Sequence, residues 1–325
     1  MRIILFLLAL TLPVAATAQH TLWAGLIKSK GYVVGSPLSQ SGLHYLTGDT
    51  TWAHVGWNHP RSAGLSTPPG QPDTLYVAAG NGVLRSFDGG TSWRIVTGWE
   101  VTEATGIDVD PNRPADVYVA TAYGVWRSMD HGQTWTEANA GFEKRYTQKI
   151  EVDDTQPGRV LAATEGGVYV SANAGVAWTY AGVPHPVISL SQSEADPMLW
   201  MAGTQRNGLF LSRDGGQTWS RAEGVSDAHS IYTVSPDPTD ANRMAAGGWD
   251  TGLLISTDGG ETWTTRTDGL PIPHLYCLAF DPDNPGRLYA ATVEAGIFVI
   301  DSPTAPFRDA GLYGTLVWDM TFLDG

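Results

Sequence analysis

Cysteine is almost missing from this chain. Cys277 is the only one in 325 residues, which excludes an intramolecular disulfide framework and any cysteine-based metal cluster. Charge is scarce at 16% and lopsided, with 19 Lys+Arg against 33 Asp+Glu for a net of -14. So acidic a surface repels phosphate backbones, so nucleic acid is not an expected partner. Beyond the first dozen residues no apolar run approaches the ~20 residues a bilayer requires, and no membrane span is expected. No G-x-x-x-x-G-K-[ST] loop or nucleophile elbow occurs, nor does an H-x-x-x-H pair, so neither cofactor nor metal is expected. What the chain has in quantity is glycine (38) and proline (20), a turn-rich balance that suits an all-β protein. Its 42% hydrophobic content is that of a globular chain.

The N-terminus reads Met1-Arg2, an apolar run from Ile3 to Leu12, then Pro13 and the small residues Val14-Ala15-Ala16-Thr17-Ala18. A positive n-region, a short h-region and an A-x-A site make a secretory signal. Cleavage after Ala18 is expected, leaving residues 19–325 as a single mature domain in a periplasm or outside the cell. No cysteine lies near that point to carry a lipid anchor.

An octet recurs along the rest. It appears as Ser86-Phe-Asp88-Gly89-Gly90-Thr-Ser-Trp93, then between Ser128, Asp130 and Trp135, then between Ser171, Asn173 and Trp178. It returns with Ser212, Asp214 and Trp219, and again with Ser256, Asp258 and Trp263. Successive tryptophans lie 42, 43, 41 and 44 residues apart. Worn copies precede Trp52 and Phe307, which brings the units to seven. Each unit holds β-prone runs separated by Gly, Pro, Asp and Asn clusters, which read as four strands, A to D from the axis outward. Four strands repeated at this period predict a seven-bladed β-propeller. The octet's Asp suits acceptance of backbone N–H bonds across the C–D turn, and its Trp suits burial between blades. An EF-type calcium loop needs alternating acids and a Glu at position twelve, which no copy has.

Ser-x-Asp-x-Gly-x-Thr-Trp resembles the Asp-box, or BNR, repeat of sialidases, xyloglucan-cleaving glycoside hydrolases, sortilin-type receptors and photosystem II assembly factors. The resemblance covers all seven units and implies the propeller; the box itself is structural wherever it occurs. It is similar in blade number, length and export to the photosystem II factors, whose arginine-rich patch has no counterpart in these dispersed arginines. The xyloglucan-cleaving enzymes build their cleft between two propellers, whereas one is expected here. Sialidases clamp a carboxylate with three arginines on six blades. Arg61, Arg145 and Arg206 fall on one face, but Arg61 sits in His59-Pro-Arg-Ser62 rather than an F/Y-R-I-P motif, so sialidase activity is not expected. Trp249-Asp250 and Trp318-Asp319 look like WD-repeat dipeptides, yet both miss the octet's place in the period and read as coincidence.

The C-terminal Leu316-Val-Trp-Asp-Met-Thr-Phe-Leu323 matches a strand A with nothing after it, and Thr21-Leu-Trp-Ala-Gly25 matches a strand B. The last strand is therefore expected to close the ring by joining the first blade. Alternation puts the octets on one face and the variable D–A and B–C loops on the other, where binding usually resides. Candidate ligand contacts there are Trp57, His59, Arg61, Trp99, Tyr123, Arg145, Arg206, Trp249 and Asp250. The segment from Ile27 to Ser41, with Lys28, Lys30 and Tyr32, is the longest loop of that face. The expected function is a protein- or glycan-binding or assembly module, acting as a monomer. The alternative is a glycoside hydrolase, which needs two carboxyls about 5–9.5 Å apart; Glu100, Glu103, Glu165, Asp250 and Glu294 are its candidates. Cys277, in an inner strand, reads as a small buried hydrophobe.

Overall fold

A computed structural model describes residues 20–27, 41–59 and 61–324. The signal segment and Lys28, Lys30 and Tyr32 lie outside the described residues. Seven four-stranded antiparallel sheets form a ring of blades. Blade 1 is ordered Leu316–Asp324, His20–Ile27, Gly42–Leu46, Trp52–Val55. Its inner strand comes from the C-terminus, paired in register from His20↔Asp324 to Ile27↔Leu316. The ring closes as the sequence predicts.

The inner strands of blades 2 to 7 are Ser62–Ser66, Ala104–Val109, Thr147–Val152, Val187–Gln192, Ile231–Asp237 and Leu275–Phe280. Strands B read as continuous apolar runs, Leu75–Ala79 and Val117–Thr121 among them, because they are covered on both faces by neighbouring blades.

The octets do what their residue types imply. Asp88 Oδ1 accepts from the Ser92 N–H at 2.8 Å and from the Ser86 hydroxyl at 2.8 Å, while Ser86 Oγ accepts from the Gly90 N–H at 2.9 Å. Asp130, Asp214 and Asp258 repeat the pattern, and Asn173 keeps it with its amide oxygen. Gly90 adopts φ +86, and a Cβ there would meet Val55 of the preceding blade at 2.3 Å, so only glycine fits. The tryptophans seal the seams between blades. Trp52, Trp135 and Trp178 donate their indole N–H to Ala310, Val96 and Ala138 of the preceding blade. Trp93, Trp219 and Trp263 donate to the glycine carbonyl of their own turn.

Candidate functional site

The inner edge of each strand A has no strand to pair with, so its backbone groups need other partners. Side chains supply them at all seven seams. Ser66 Oγ accepts from the Val109 N–H, Asp108 Oδ2 from Val152, Thr233 Oγ1 from Leu278, Cys277 Sγ from Met320, and Asp319 Oδ2 from Leu65. Gln192 Oε1 accepts from Asp154 N–H, and Ser189 donates to the Ile231 carbonyl. Cys277 is buried as expected, its thiol pushed up to about 12 by burial first and the Asp319 charge second. It nevertheless faces the axis.

Around that axis lies a cavity of about 580 Å³ lined by all seven inner strands. Every inner strand carries a β-bulge at the same place, leaving one residue unpaired: Ala63, Thr105, Gln148, Ile188, Tyr232, Tyr276 and Trp318. All seven line the cavity at its loop-face end. Bulges re-aim side chains, and here they turn one residue per blade toward the channel mouth. Blades 6, 7 and 1 contribute rings. Tyr232 and Tyr276 stack with centroids 4.9 Å apart and planes at 7°, and Trp318 follows at 5.6 Å and 43°. Arg61 sets its guanidinium 5.6 Å from the Trp318 ring centre.

The layer below holds Lys149 and Asp319, whose Nζ and Oδ1 stand 3.7 Å apart. Reaching from blade 4 to blade 1, Lys149 passes blades 3 and 2, which present Gly106 and Gly64 at the matching register. A Cβ on Gly106 would touch Lys149 Cδ at 3.6 Å. Burial lowers the Lys149 pKa, but Asp319, Glu151 and Asp108 outweigh it and hold the ammonium well above its ordinary value. Burial pushes Asp108 up to about 6 despite the Val152 N–H and Lys149, and it pushes Glu151 well above the usual carboxylate range. Asp154 rises to about 7 through burial first and then the charges of Asp108 and Glu194; Glu194 is raised by burial.

These shifts set a pH dependence. A carboxyl raised in the fold is favoured protonated, so its contribution is complete below about pH 4 and is lost as pH climbs toward 7. Asp108, Glu151, Asp154 and Glu194 act in this sense. His44, lowered to about 4 by burial and by the His54 charge, opposes it between about pH 4 and 6.5, and His59, lowered by burial, acts in the same direction. The box acids Asp88, Asp130, Asp214 and Asp258, held near 2 by Ser or Thr hydroxyl and backbone bonds, lose their contribution below about pH 4. The rise of Asp108 to about 6 and of Asp154 to about 7 outweighs the fall of His44 to about 4. The melting temperature at constant ionic strength is expected to peak near pH 4–5 and fall toward 7; a rise over that interval would contradict the assignment.

The expected loop-face residues separate into three groups. Arg206, Trp249 and Asp250 line one pocket with His229, Ser230 and Tyr232, and Tyr232 also lines the axial cavity, so the two spaces share a wall. Trp249 stacks on His274 with centroids 4.0 Å apart and planes at 8°, and the Asp250 N–H donates to His274 Nδ1 at 3.1 Å. Arg206 and Asp250 hold φ of +63 and +59, a conformation that an aspartate tolerates more readily than an arginine. The backbone of Arg206 is fixed by its N–H donating to Ser230 Oγ. His59 Nδ1 contacts the Arg61 carbonyl at 2.8 Å, placing His59 and the half-exposed Trp57 beside Arg61 at the blade 1–2 seam.

Trp99, Tyr123 and Arg145 stand on blades 2 to 4, outside both cavities, with Trp99 91% exposed. Arg145 is engaged by Glu137 at 2.8 Å, and Arg206 lines the pocket with Trp249 and Asp250, which neither Arg61 nor Arg145 joins. Of the five candidate carboxyls, Asp250 lines one of these two cavities, and Glu100, Glu103, Glu165 and Glu294 line neither. Among the described residues no group of His, Cys, Asp and Glu could hold a metal, and no helix is long and apolar enough to cross a membrane.

The site residues that the repeat pattern did not single out are Tyr232, Tyr276, Trp318, Lys149 and Asp319. Trp318-Asp319 is not a stray dipeptide: one residue forms the mouth and the other the layer beneath it. The charges in Gln148-Lys149-Ile150-Glu151 were the available signal, because alternating charge in an inner strand has nowhere to point but the axis.

The BNR/Asp-box repeat family matches residues 210–221 and 254–265. The chain is a seven-bladed Asp-box propeller. No curated protein sequence matches it. Among solved structures, the Asp-box propeller is similar to the GH74 xyloglucanase from Xanthomonas campestris, with TM-score 0.68 and 18% identity over 90% of this chain and 52% of that one. It is similar to the Niastella koreensis GH74 enzyme at TM-score 0.66 and 17% identity, over 91% of this chain and 54% of that one. The propeller thus spans about half the length of these enzymes. YCF48 bound to D1 peptide gives TM-score 0.59 and 15% identity, over 84% of this chain and 87% of that one. At such identities the likeness is one of fold.

Proposed function

We propose that this Asp-box propeller is an exported binding module that grips a peptide or glycan chain of a partner on its loop face. The carrying observation is where the large exposed rings lie. Of the eight exposed Phe, Tyr and Trp rings among the described residues, Trp57, Trp99, Tyr123, Tyr146, Trp249 and Tyr313 stand in D–A or B–C loops, while Tyr180 lies in the outer strand of blade 4 and Phe87 in an octet. The exposed apolar residues of the octet face are Phe87, Met129, Val176 and Met198, which include no Trp or Tyr. Aromatic rings with a polar rim are what binding faces use for affinity. A protein of like fold and nearly equal span, YCF48, has been solved with a bound peptide, which favours a peptide. Export rests on the Met1–Ala18 signal pattern alone.

A glycoside hydrolase is the second reading, favoured by one feature: Asp108 and Asp154, held near 6 and 7, fall where a general acid must titrate. Against it, Asp108 is occupied by the Ser66 hydroxyl and the Val109 and Val152 N–H groups. Peptide and glycan arrays probed with the wild-type chain and with Trp249→Ala, alongside a chromogenic glycoside panel, test both. Retained ligands whose signal falls about tenfold or more in Trp249→Ala are expected, without turnover. Hydrolysis abolished by Asp108→Asn would replace this reading with the enzymatic one.

A further inference from the structure

The channel mouth is chemically one-sided. Its ring half, Tyr232, Tyr276 and Trp318, spans three consecutive blades, and the remaining mouth residues are small, aliphatic or amide. Beneath the rings the cavity wall carries Asp319, Asp108, Glu151 and Asp154 against a single lysine, Lys149. Asp319 follows Trp318 directly, a rise of about 3.3 Å along the strand. A guest passing the rings therefore meets the Asp319 carboxylate, which already stands 3.7 Å from the Lys149 ammonium. The chain supplies its own precedent: the Arg61 guanidinium already lies over Trp318. Ring faces attract cations, most strongly when water is excluded, as at a mouth that opens into a protein-lined cavity.

We propose that this mouth receives one basic side chain, a lysine ammonium or arginine guanidinium, presented by a partner peptide. The apolar stem of such a side chain lies along Tyr232 and Tyr276 while its charge meets Asp319. Trp249 and Arg206, across the shared Tyr232 wall, contact the flanking backbone. The inference rests on the loop face being the binding face and adds to it the chemistry of the guest.

The test is calorimetric titration of the full chain with Ac-Gly-Lys-Gly-NH2, Ac-Gly-Arg-Gly-NH2 and the neutral isostere Ac-Gly-Nle-Gly-NH2. The cationic peptides are expected to bind at least tenfold more tightly than norleucine, and Tyr276→Leu is expected to weaken them at least fivefold with an unchanged melting curve. Tyr232→Leu serves the same purpose if Tyr276→Leu does not fold. Equal binding of the three peptides, binding of none of them, or cation binding undiminished in both leucine variants overturns the proposal. So does a cello-oligosaccharide that binds at the mouth in their place. A partner lost by Trp249→Ala but held at wild-type strength by Tyr276→Leu overturns it too, while leaving the loop-face reading intact.

Discussion

Replacing Lys149 by methionine is expected to destabilise the propeller by about 2–3 kcal/mol, and to do so more at pH 7 than at pH 5. Removing one partner of a fully buried ion pair costs about 3–5 kcal/mol, because the other charge is stranded. Here the Lys149 side chain is 31% exposed and Asp319 15%, so solvent screening places the expected loss below that range. Methionine keeps the stem that lies against Gly106, so packing changes little and the charge is what is tested. Three carboxyls lean on this one ammonium: Asp319, Glu151 and Asp108. Without it their pKa values rise further, and each must ionise at neutral pH against greater repulsion. Adding Asp319→Asn to Lys149→Met should restore part of the loss. Chemical denaturation at the two pH values measures it. An equal loss at pH 5 and pH 7, or a double variant whose loss equals the sum of the two single losses, would show that the axial charges do not act as a unit.

Why this belt escapes a reading of the repeat, while the boxes do not, is a matter of geometry. Ser86, Asp88, Gly90 and Trp93 bond with one another and with the adjoining blade edge, so each copy is complete within eight residues and its spacing betrays it. Ring closure is legible for a similar reason: Leu316–Leu323 is a strand A without a B to follow, and an unpaired edge must be covered. Trp249, Asp250 and Arg206 stand out because they break the stereotyped loops. Tyr232, Tyr276 and Trp318 do not, because each sits inside an apolar strand and reaches the channel only through a bulge. Strict alternation assigns facing by parity, and one extra residue shifts that parity. Lys149 and Asp319 lie 170 residues apart. Their meeting depends on how blades 1 to 4 curve, and on Gly64 and Gly106 clearing the space between, which no local pattern expresses.

Deleting residues 316–325 is expected to abolish the cooperatively folded monomer altogether. The deletion removes Val317, Met320 and Leu323, all buried among blades 1, 2 and 7. At about 1.5–3 kcal/mol for each buried side chain, these three alone approach the ~5–15 kcal/mol by which a domain is stable. It also removes two seam bonds, Met320 to Cys277 and Asp319 to Leu65, and leaves Lys149 without its acid. The remaining edge, His20–Ile27, would expose a full row of N–H and C=O groups beside the buried Leu22, Ala24 and Leu26, a surface prone to pairing with another copy. A synthetic peptide of residues 315–325 added in trans should recover a melting transition, because it supplies the missing strand and nothing else. Circular dichroism and size exclusion follow both steps. A truncated chain that melts as the intact one does would mean the ring is held shut without its clasp, and that the axial seams described above carry little of the stability assigned to them.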